Sequence, residues 1–149
     1  MSLMHGELDA FVGQNIFFDS HHGSITVYGI RHPMEHMSGI TDVVMITADS
    51  MYQEITFTNS SNTFRQLRAR AMHGINAEQD INTTDGHLEL IFYHGNLDLS
   101  EDVDIIAQGG DVILTSLDGT LFLFLFCESS PIVLLFIKSI EINDLFFIM

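Results

Sequence analysis

The segment TFRQLRARAMHG, residues 63–74, contains the helix signal that decides the predicted fold class. Thr63 and Gln66 have the spacing of an N-terminal capping box, and Gly74 is a favoured residue just beyond a helix C-terminus. Apolar side chains recur at the period of one helix face, at Phe64, Leu67, Ala71 and Met72. The sequence therefore predicts one amphipathic helix, from about residue 63 to residue 74.

The segments before this helix have the composition of short strands. Residues 15–18, 24–30, 41–49 and 51–59 are rich in β-branched and aromatic side chains, and turn residues separate them. We expect two hairpins, one from the first two segments and one from the last two. Further strands are predicted within residues 87–95, 103–108, 111–117, 121–127, 132–142 and 145–149.

These elements predict an α+β fold, predominantly antiparallel β. The concrete expectation is a β-sandwich, or a sheet, with one packed amphipathic helix at about residues 63–74. Dipeptides of two glycines, or of glycine and aspartate, are typical of the tight turns that join antiparallel strands, and Gly109-Gly110 is an example. No internal repeat is apparent, and a length of 149 residues predicts a single domain over residues 1–149.

The most apolar part of the chain is LFLFLFCESSPIVLLFIKSIEINDLFFIM, residues 121–149. Charged and turn residues interrupt it, so it does not match a transmembrane helix, which needs about 20 mostly apolar residues. In a strand, Phe122, Phe124 and Phe126 share one face, and the opposite face is also apolar. We expect this segment to contribute to the core and to an interface between copies of the chain, which predicts a homo-oligomer.

The charge balance is strongly acidic. Five Lys and Arg residues stand against 20 Asp and Glu, a formal net charge of −15. Such a charge disfavours binding to nucleic acid or to an anionic membrane, and favours a basic partner or a cation. The single cysteine, Cys127, rules out an intramolecular disulfide, and the N-terminus has no signal-peptide pattern, so we expect a cytoplasmic protein.

The segment NLDLSEDVD, residues 96–104, is the best candidate for a partner-binding surface, through Asp98, Glu101, Asp102 and Asp104. Its oxygen-bearing side chains begin with the spacing of an EF-hand calcium loop. However, Glu101 stands where that loop requires glycine, and Ala107 where it requires glutamate, so the segment is not an EF-hand. A weaker divalent-cation site in residues 96–104 remains an alternative.

Two other groups of residues can carry binding chemistry. Arg65 and Arg68, close to Arg70, are candidates for contact with an anion or a second subunit, and pairing with carboxylates of their own chain is the alternative. His32 and His36 are metal-ligand types, but Pro33 spoils the helical two-histidine pattern, so no metal or other cofactor is predicted. Most other histidines adjoin glycine, which indicates turns.

Known catalytic motifs are absent from the sequence. The leading hypothesis is a non-catalytic, acidic protein-interaction module that binds a basic protein, as immunity proteins, chaperones or nucleic-acid mimics do, and that self-associates. The first alternative is a metal-dependent or acid/base enzyme that gathers histidines and carboxylates from separate loops. The second alternative is a structural subunit of a virus or shell.

Overall fold

The structure is a computed structural model that describes residues 1–4, 14–30 and 43–118 with their side chains. It also describes the backbone of residues 121–124, 135–137 and 145–148. All regular elements in these ranges are strands. In chain order they are β1 Ser2–Met4, β2 Ile16–Ser20, β3 Ile25–Tyr28, β4 Val43–Ala48, β5 Glu54–Thr58, β6 Asn62–Phe64, β7 Gln66–Ala71, β8 Gly74–Ala77, β9 Ile81–Thr83, β10 Leu88–Phe92, β11 Leu97–Leu99, β12 Ile105–Ala107, β13 Val112–Ser116, β14 Leu121–Phe124, β15 Leu135–Ile137 and β16 Leu145–Ile148.

The strands form parallel sheets that wind into a β-solenoid of about four turns. Sheet 1 has the order β1-β3-β5-β8-β11, and sheet 2 has the order β15-β13-β10-β7-β4-β2. Sheet 3 has the order β12-β9-β6, and β14 pairs with β16. From β5 onward, each described turn passes from sheet 1 through sheet 3 to sheet 2, and a corner then returns the chain to sheet 1.

The register shows how successive turns stack. In sheet 2, Val44, Leu67, Leu88 and Val112 are partners, at intervals of 23, 21 and 24 residues. All four point inward and are buried. In sheet 1, Ile25, Ile55, Ile75 and Leu97 form the equivalent inward row. β4, β7 and β10 alternate buried and more exposed positions, so the core is the interior of the coil and alternate side chains face outward.

The predicted helix at residues 63–74 is wrong, because this segment forms β6, a corner at Arg65, and β7. Along β7, Leu67, Ala69 and Ala71 point inward, and Arg68 and Arg70 are exposed. The alternation is that of a strand. The apolar stripe looked helical because it combined Phe64, which lies before the corner, with residues after it. Pairing with β4 on one side and β10 on the other overrides the helix propensity of these side chains.

The predicted antiparallel α+β fold class is also wrong. The described residues contain no helix, and their strand pairs are parallel. Most predicted strand positions are confirmed, but the two predicted hairpins are not. β2 and β3 lie in different sheets, as do β4 and β5, because the turn between them is a corner of the coil. Gly109-Gly110 likewise joins β12 to β13 across a corner.

The C-terminal strands extend the parallel arrangement. β15 pairs with β13, and Leu121, Phe122, Leu123 and Phe124 of β14 are aligned with Leu145, Phe146, Phe147 and Ile148 of β16. Phe126 lies outside the described residues, as do His32 and His36. The predictions of self-association and of a single domain over residues 1–149 stay predictions.

None of the described segments forms a helix with the length and apolar character needed to cross a membrane.

Candidate functional site

The predicted partner-binding residues lie together on the turn that β11 and β12 form. We call Asp98, Glu101, Asp102 and Asp104 the acidic flank. Asp98 is aligned with Asn76 in the preceding turn, on the outward face of sheet 1, and the other three belong to the corner that leads into β12. All four side chains are exposed. The predicted residues therefore lie on one turn, at the end of its sheet 1 strand and in the corner that follows.

The backbone of this corner is fixed by the turn before it. The Ser100 N–H donates to the Ala77 carbonyl at 2.9 Å, and the Asp104 N–H donates to a carboxylate oxygen of Asp80 at 3.0 Å. Asp102 has a φ of 61°, a left-handed conformation that aspartate tolerates better than most residues. Both contacts are made to main-chain N–H groups of the corner, and neither involves a carboxylate of the flank.

Among the described residues, the carboxylates of the acidic flank have no cationic partner. The described arginines are all engaged one or two turns away. Arg65 Nε lies 2.8 Å from Asp85 Oδ2, and Arg68 pairs with Glu89. The Arg70 guanidinium lies over the ring of Tyr93, 4.7 Å from its centroid. Pairing of Arg65 and Arg68 with their own chain, one of the two sequence-based alternatives, is therefore shown. Contact with an anion or another subunit stays a prediction.

A second group of functional side chains lies where the chain passes from sheet 2 to sheet 1. We call this edge of the solenoid the histidine corner, and it comprises residues 21–24, 49–53, 72–73, 93–96 and 117–118. His73-Gly74 and His94-Gly95 occupy equivalent places in successive turns. Gly95 has a φ of 75°, and a Cβ there would lie 2.4 Å from the His73 carbonyl oxygen. The stacking of turns at this corner requires glycine.

Histidine–carboxylate pairs connect successive turns here. His73 Nε2 lies 3.8 Å from Glu54 Oε1, and His94 Nδ1 lies 3.1 Å from Asp118 Oδ2. A similar pair, between His87 and Asp111 at 3.6 Å, lies at the corner between sheets 3 and 2. Each of these histidines meets one carboxylate.

His21 differs because it lies between two carboxylates. Its Nδ1 is 3.0 Å from both carboxylate oxygens of Asp49, and its Nε2 is 3.7 Å from Asp19 Oδ2. The hydrogen bond to Asp49, with the negative charges of Asp19 and Asp49, raises the pKa of His21 above its ordinary value of 6.5. Taking one ligand atom from each residue, the three atoms lie within 4.8 Å of one another.

Tyr52 gives the same corner an unusual backbone. Its φ is 70°, a conformation that is a genuine outlier for a bulky side chain. The side chain is 77% exposed, and its ring lies 6.2 Å from that of His73. Met51 beside it is also exposed. The strained residue therefore projects from the corner that holds the histidine–carboxylate pairs.

Sequence reasoning missed the histidine corner. It interpreted the His-Gly pairs as turns; His22-Gly23 and His94-Gly95 lie between strands, whereas Gly74 begins β8. The available signal was their spacing, since His73-Gly74 and His94-Gly95 are separated by 21 residues and inward apolar residues recur at similar intervals. Such a period is typical of a solenoid.

Comparisons with protein-family models, with curated proteins and with solved structures gave no match.

Proposed function

We propose that the chain is an interaction module whose acidic flank binds a basic protein surface, with the solenoid as its rigid support. One observation supports this most directly. Asp98, Glu101, Asp102 and Asp104 are exposed on one turn, and no described cation lies against them. In contrast, the carboxylates of the preceding turn, such as Asp85 and Glu89, are paired with arginine.

The unpaired carboxylates of the acidic flank favour a basic partner on electrostatic grounds. Like charges on one small corner repel each other, so they do not stabilise the fold. A lysine- or arginine-rich surface relieves that repulsion and forms charge-assisted hydrogen bonds with the carboxylate oxygens. The formal net charge of −15 adds long-range attraction that speeds encounter with a basic partner. Because such attraction acts over about 8 Å at physiological ionic strength, association should slow as salt is added.

The corner's geometry also suits recognition rather than flexible attraction. Asp80 and the Ala77 carbonyl hold its backbone, so the Cα atoms that carry the carboxylates keep a fixed spacing. Because the backbone of the corner is already ordered, binding a partner that matches this spacing costs the module little conformational entropy, which favours affinity.

The test measures association of the full chain with an immobilised lysine-rich peptide, and with a glutamate-rich peptide as the negative probe, at low and high salt. The flank variant Glu101→Gln/Asp102→Asn/Asp104→Asn removes three charges, and asparagine at position 102 tolerates the positive φ. The matched control Asp85→Asn/Asp111→Asn/Asp118→Asn removes three charges at other corners.

We expect the on-rate for the lysine-rich peptide to fall about tenfold or more in the flank variant, and much less in the control variant. Equal losses in the two variants would mean that net charge alone attracts the peptide, and would contradict a specific role of the flank. An on-rate that does not change with salt would contradict the electrostatic basis of the proposal.

A further inference from the structure

We propose that Asp19, His21 and Asp49, at the histidine corner, bind a divalent transition-metal ion, with Zn²⁺ as the expected class. Their placement by the fold, the distances between their ligand atoms and the ions that their donor atoms favour all support this site.

The placement follows from the register of sheet 2. Ser20 at the end of β2 is aligned with Ala48 at the end of β4. The Asp49 N–H donates to the Ser20 carbonyl at 3.4 Å, so the ladder continues into the corner and brings His21 beside Asp49. Asp19 is two residues before His21, at an exposed position of β2. Two stacked turns therefore supply the three side chains without any long loop.

Neighbouring contacts fix the main chain of this corner. The Ser50 hydroxyl donates to the His21 carbonyl. Gln53, in the same corner, is buried. In the orientation that satisfies its amide, the Gln53 nitrogen donates to the Ser20 carbonyl at 3.0 Å, and its oxygen accepts from the His22 N–H at 3.2 Å. The turn after β4 thus holds the backbone on both sides of His21, which preorganises the cluster.

The ligand atoms of the three residues are near enough to converge on one ion after side-chain rotation. One atom from each of the three residues lies within 4.8 Å of the other two. In a tetrahedral site with bonds of about 2.0–2.2 Å, ligand atoms are about 3.4 Å apart. Asp49 contacts Nδ1 of His21 and Asp19 contacts Nε2, so one carboxylate has to rotate toward the nitrogen that binds the ion. All three side chains are exposed, which leaves them room to do so.

The donor set selects the ion. One imidazole nitrogen with two carboxylate oxygens suits zinc and its first-row neighbours, whereas calcium and magnesium prefer sites made entirely of oxygen. Three protein ligands leave further coordination positions for water. The pairs His73–Glu54, His87–Asp111 and His94–Asp118 each offer two ligands, so they are weaker candidates and serve as internal comparisons.

The test is calorimetric titration of ZnCl₂ into the full chain, prepared without a histidine tag and stripped of metal with a chelator. The variants Asp19→Asn, His21→Ala and Asp49→Asn each remove one ligand. His22→Ala is the matched control, because His22 is the exposed neighbour outside the cluster. Glu54→Gln is the second control, since it breaks the His73 pair instead. Melting curves confirm that each variant is folded.

We expect one strong zinc site per chain, and an affinity reduced about tenfold or more by each ligand substitution. The affinity of His22→Ala and Glu54→Gln should stay within about twofold of the wild-type value. Absence of binding up to about 1 mM zinc would overturn the proposal. Zinc binding that survives all three substitutions but is lost in His32→Ala/His36→Ala would also overturn it, and would assign the ion to those two histidines.

Discussion

Between β7 and β10, charged side chains of successive turns face each other across the ladder, whereas on the acidic flank, one turn later, they do not. Arg68 is aligned with Glu89 in the register and forms an ion pair with it. Asp98 is aligned with Asn76, and no described cation reaches Glu101, Asp102 or Asp104. The comparison separates charges that are paired between stacked strands from charges at a corner that have no described cationic partner.

The largest expected effect concerns the interior, where the two regions should not differ. Leu90 and Leu114 are aligned in neighbouring strands, the first in the paired turn and the second in the turn of the acidic flank, and both are buried. We expect Leu90→Ala and Leu114→Ala each to lower the free energy of unfolding by about 2–5 kcal/mol, measured by chemical denaturation. A cost below about 1 kcal/mol for Leu114→Ala alone would show that the later turn is not packed like the earlier one.

The next effect tests whether the two turns stack closely at the histidine corner. Gly95 has a positive φ and no room for a Cβ, so Gly95→Ala should destabilise the fold by about 1–3 kcal/mol. Gly23→Ala is the control at the same edge, because no atom lies within 4 Å of its Cβ position. Its unfolding free energy should change by less than about 0.5 kcal/mol. Equal effects in the two variants would refute the close stacking of His73 and Gly95.

A smaller effect concerns stability, which should change in opposite directions when paired charges and unpaired charges are removed. Arg68 is 52% exposed and Glu89 is 20% exposed, so screening by solvent limits what their pair contributes. We expect Arg68→Gln to lower stability by at most about 1 kcal/mol. The flank variant Glu101→Gln/Asp102→Asn/Asp104→Asn should leave the melting temperature unchanged or raise it at low salt, because it removes repulsion. A clear loss of stability in the flank variant would mean that these carboxylates have structural partners.

The smallest expected effect is a pH dependence from His21. Its pKa is raised in the folded state by the hydrogen bond to Asp49 and the charges of Asp19 and Asp49. A raised folded-state pKa contributes stability that is fully present below about 6.5 and is lost as the pH rises through the folded value. With a chelator present, Asp49→Asn should therefore lower the melting temperature more at about pH 6 than at about pH 9. A difference that is larger at the higher pH would contradict this assignment, and His22→Ala serves as the control.

Local patterns in the sequence predicted the strands but not how they connect. Alternation and β-branched side chains mark β3, β4, β5 and β10 within a few residues, so these positions were accessible. Glycine- and aspartate-rich turns suit both a hairpin and a solenoid corner, so the sheet direction could not be read from them. Residues 63–74 matched a helix because the apolar positions of two strands, joined through the corner at Arg65, were combined.

Of the two candidate sites, one was predictable from the sequence and the other was not. The acidic flank was predictable because its residues are close in sequence, within residues 96–104. The cluster of Asp19, His21 and Asp49 was not, since His21 and Asp49 are 28 residues apart and meet only through the register of β2 and β4. The spacing of His73-Gly74 and His94-Gly95 indicates stacked turns of 21 residues, but not the offset of 28 residues between His21 and Asp49.

The central claim is that paired charges serve the stacking of turns and the unpaired carboxylates of the flank serve binding. The most direct test measures two properties in parallel, the melting temperature and the on-rate for a lysine-rich peptide, in two variants of equal charge. We predict that Asp85→Asn/Asp111→Asn/Asp118→Asn lowers the melting temperature and largely keeps the on-rate. We predict that Glu101→Gln/Asp102→Asn/Asp104→Asn lowers the on-rate and does not lower the melting temperature. If both variants change both properties to the same extent, the division between the two sets of charges is wrong.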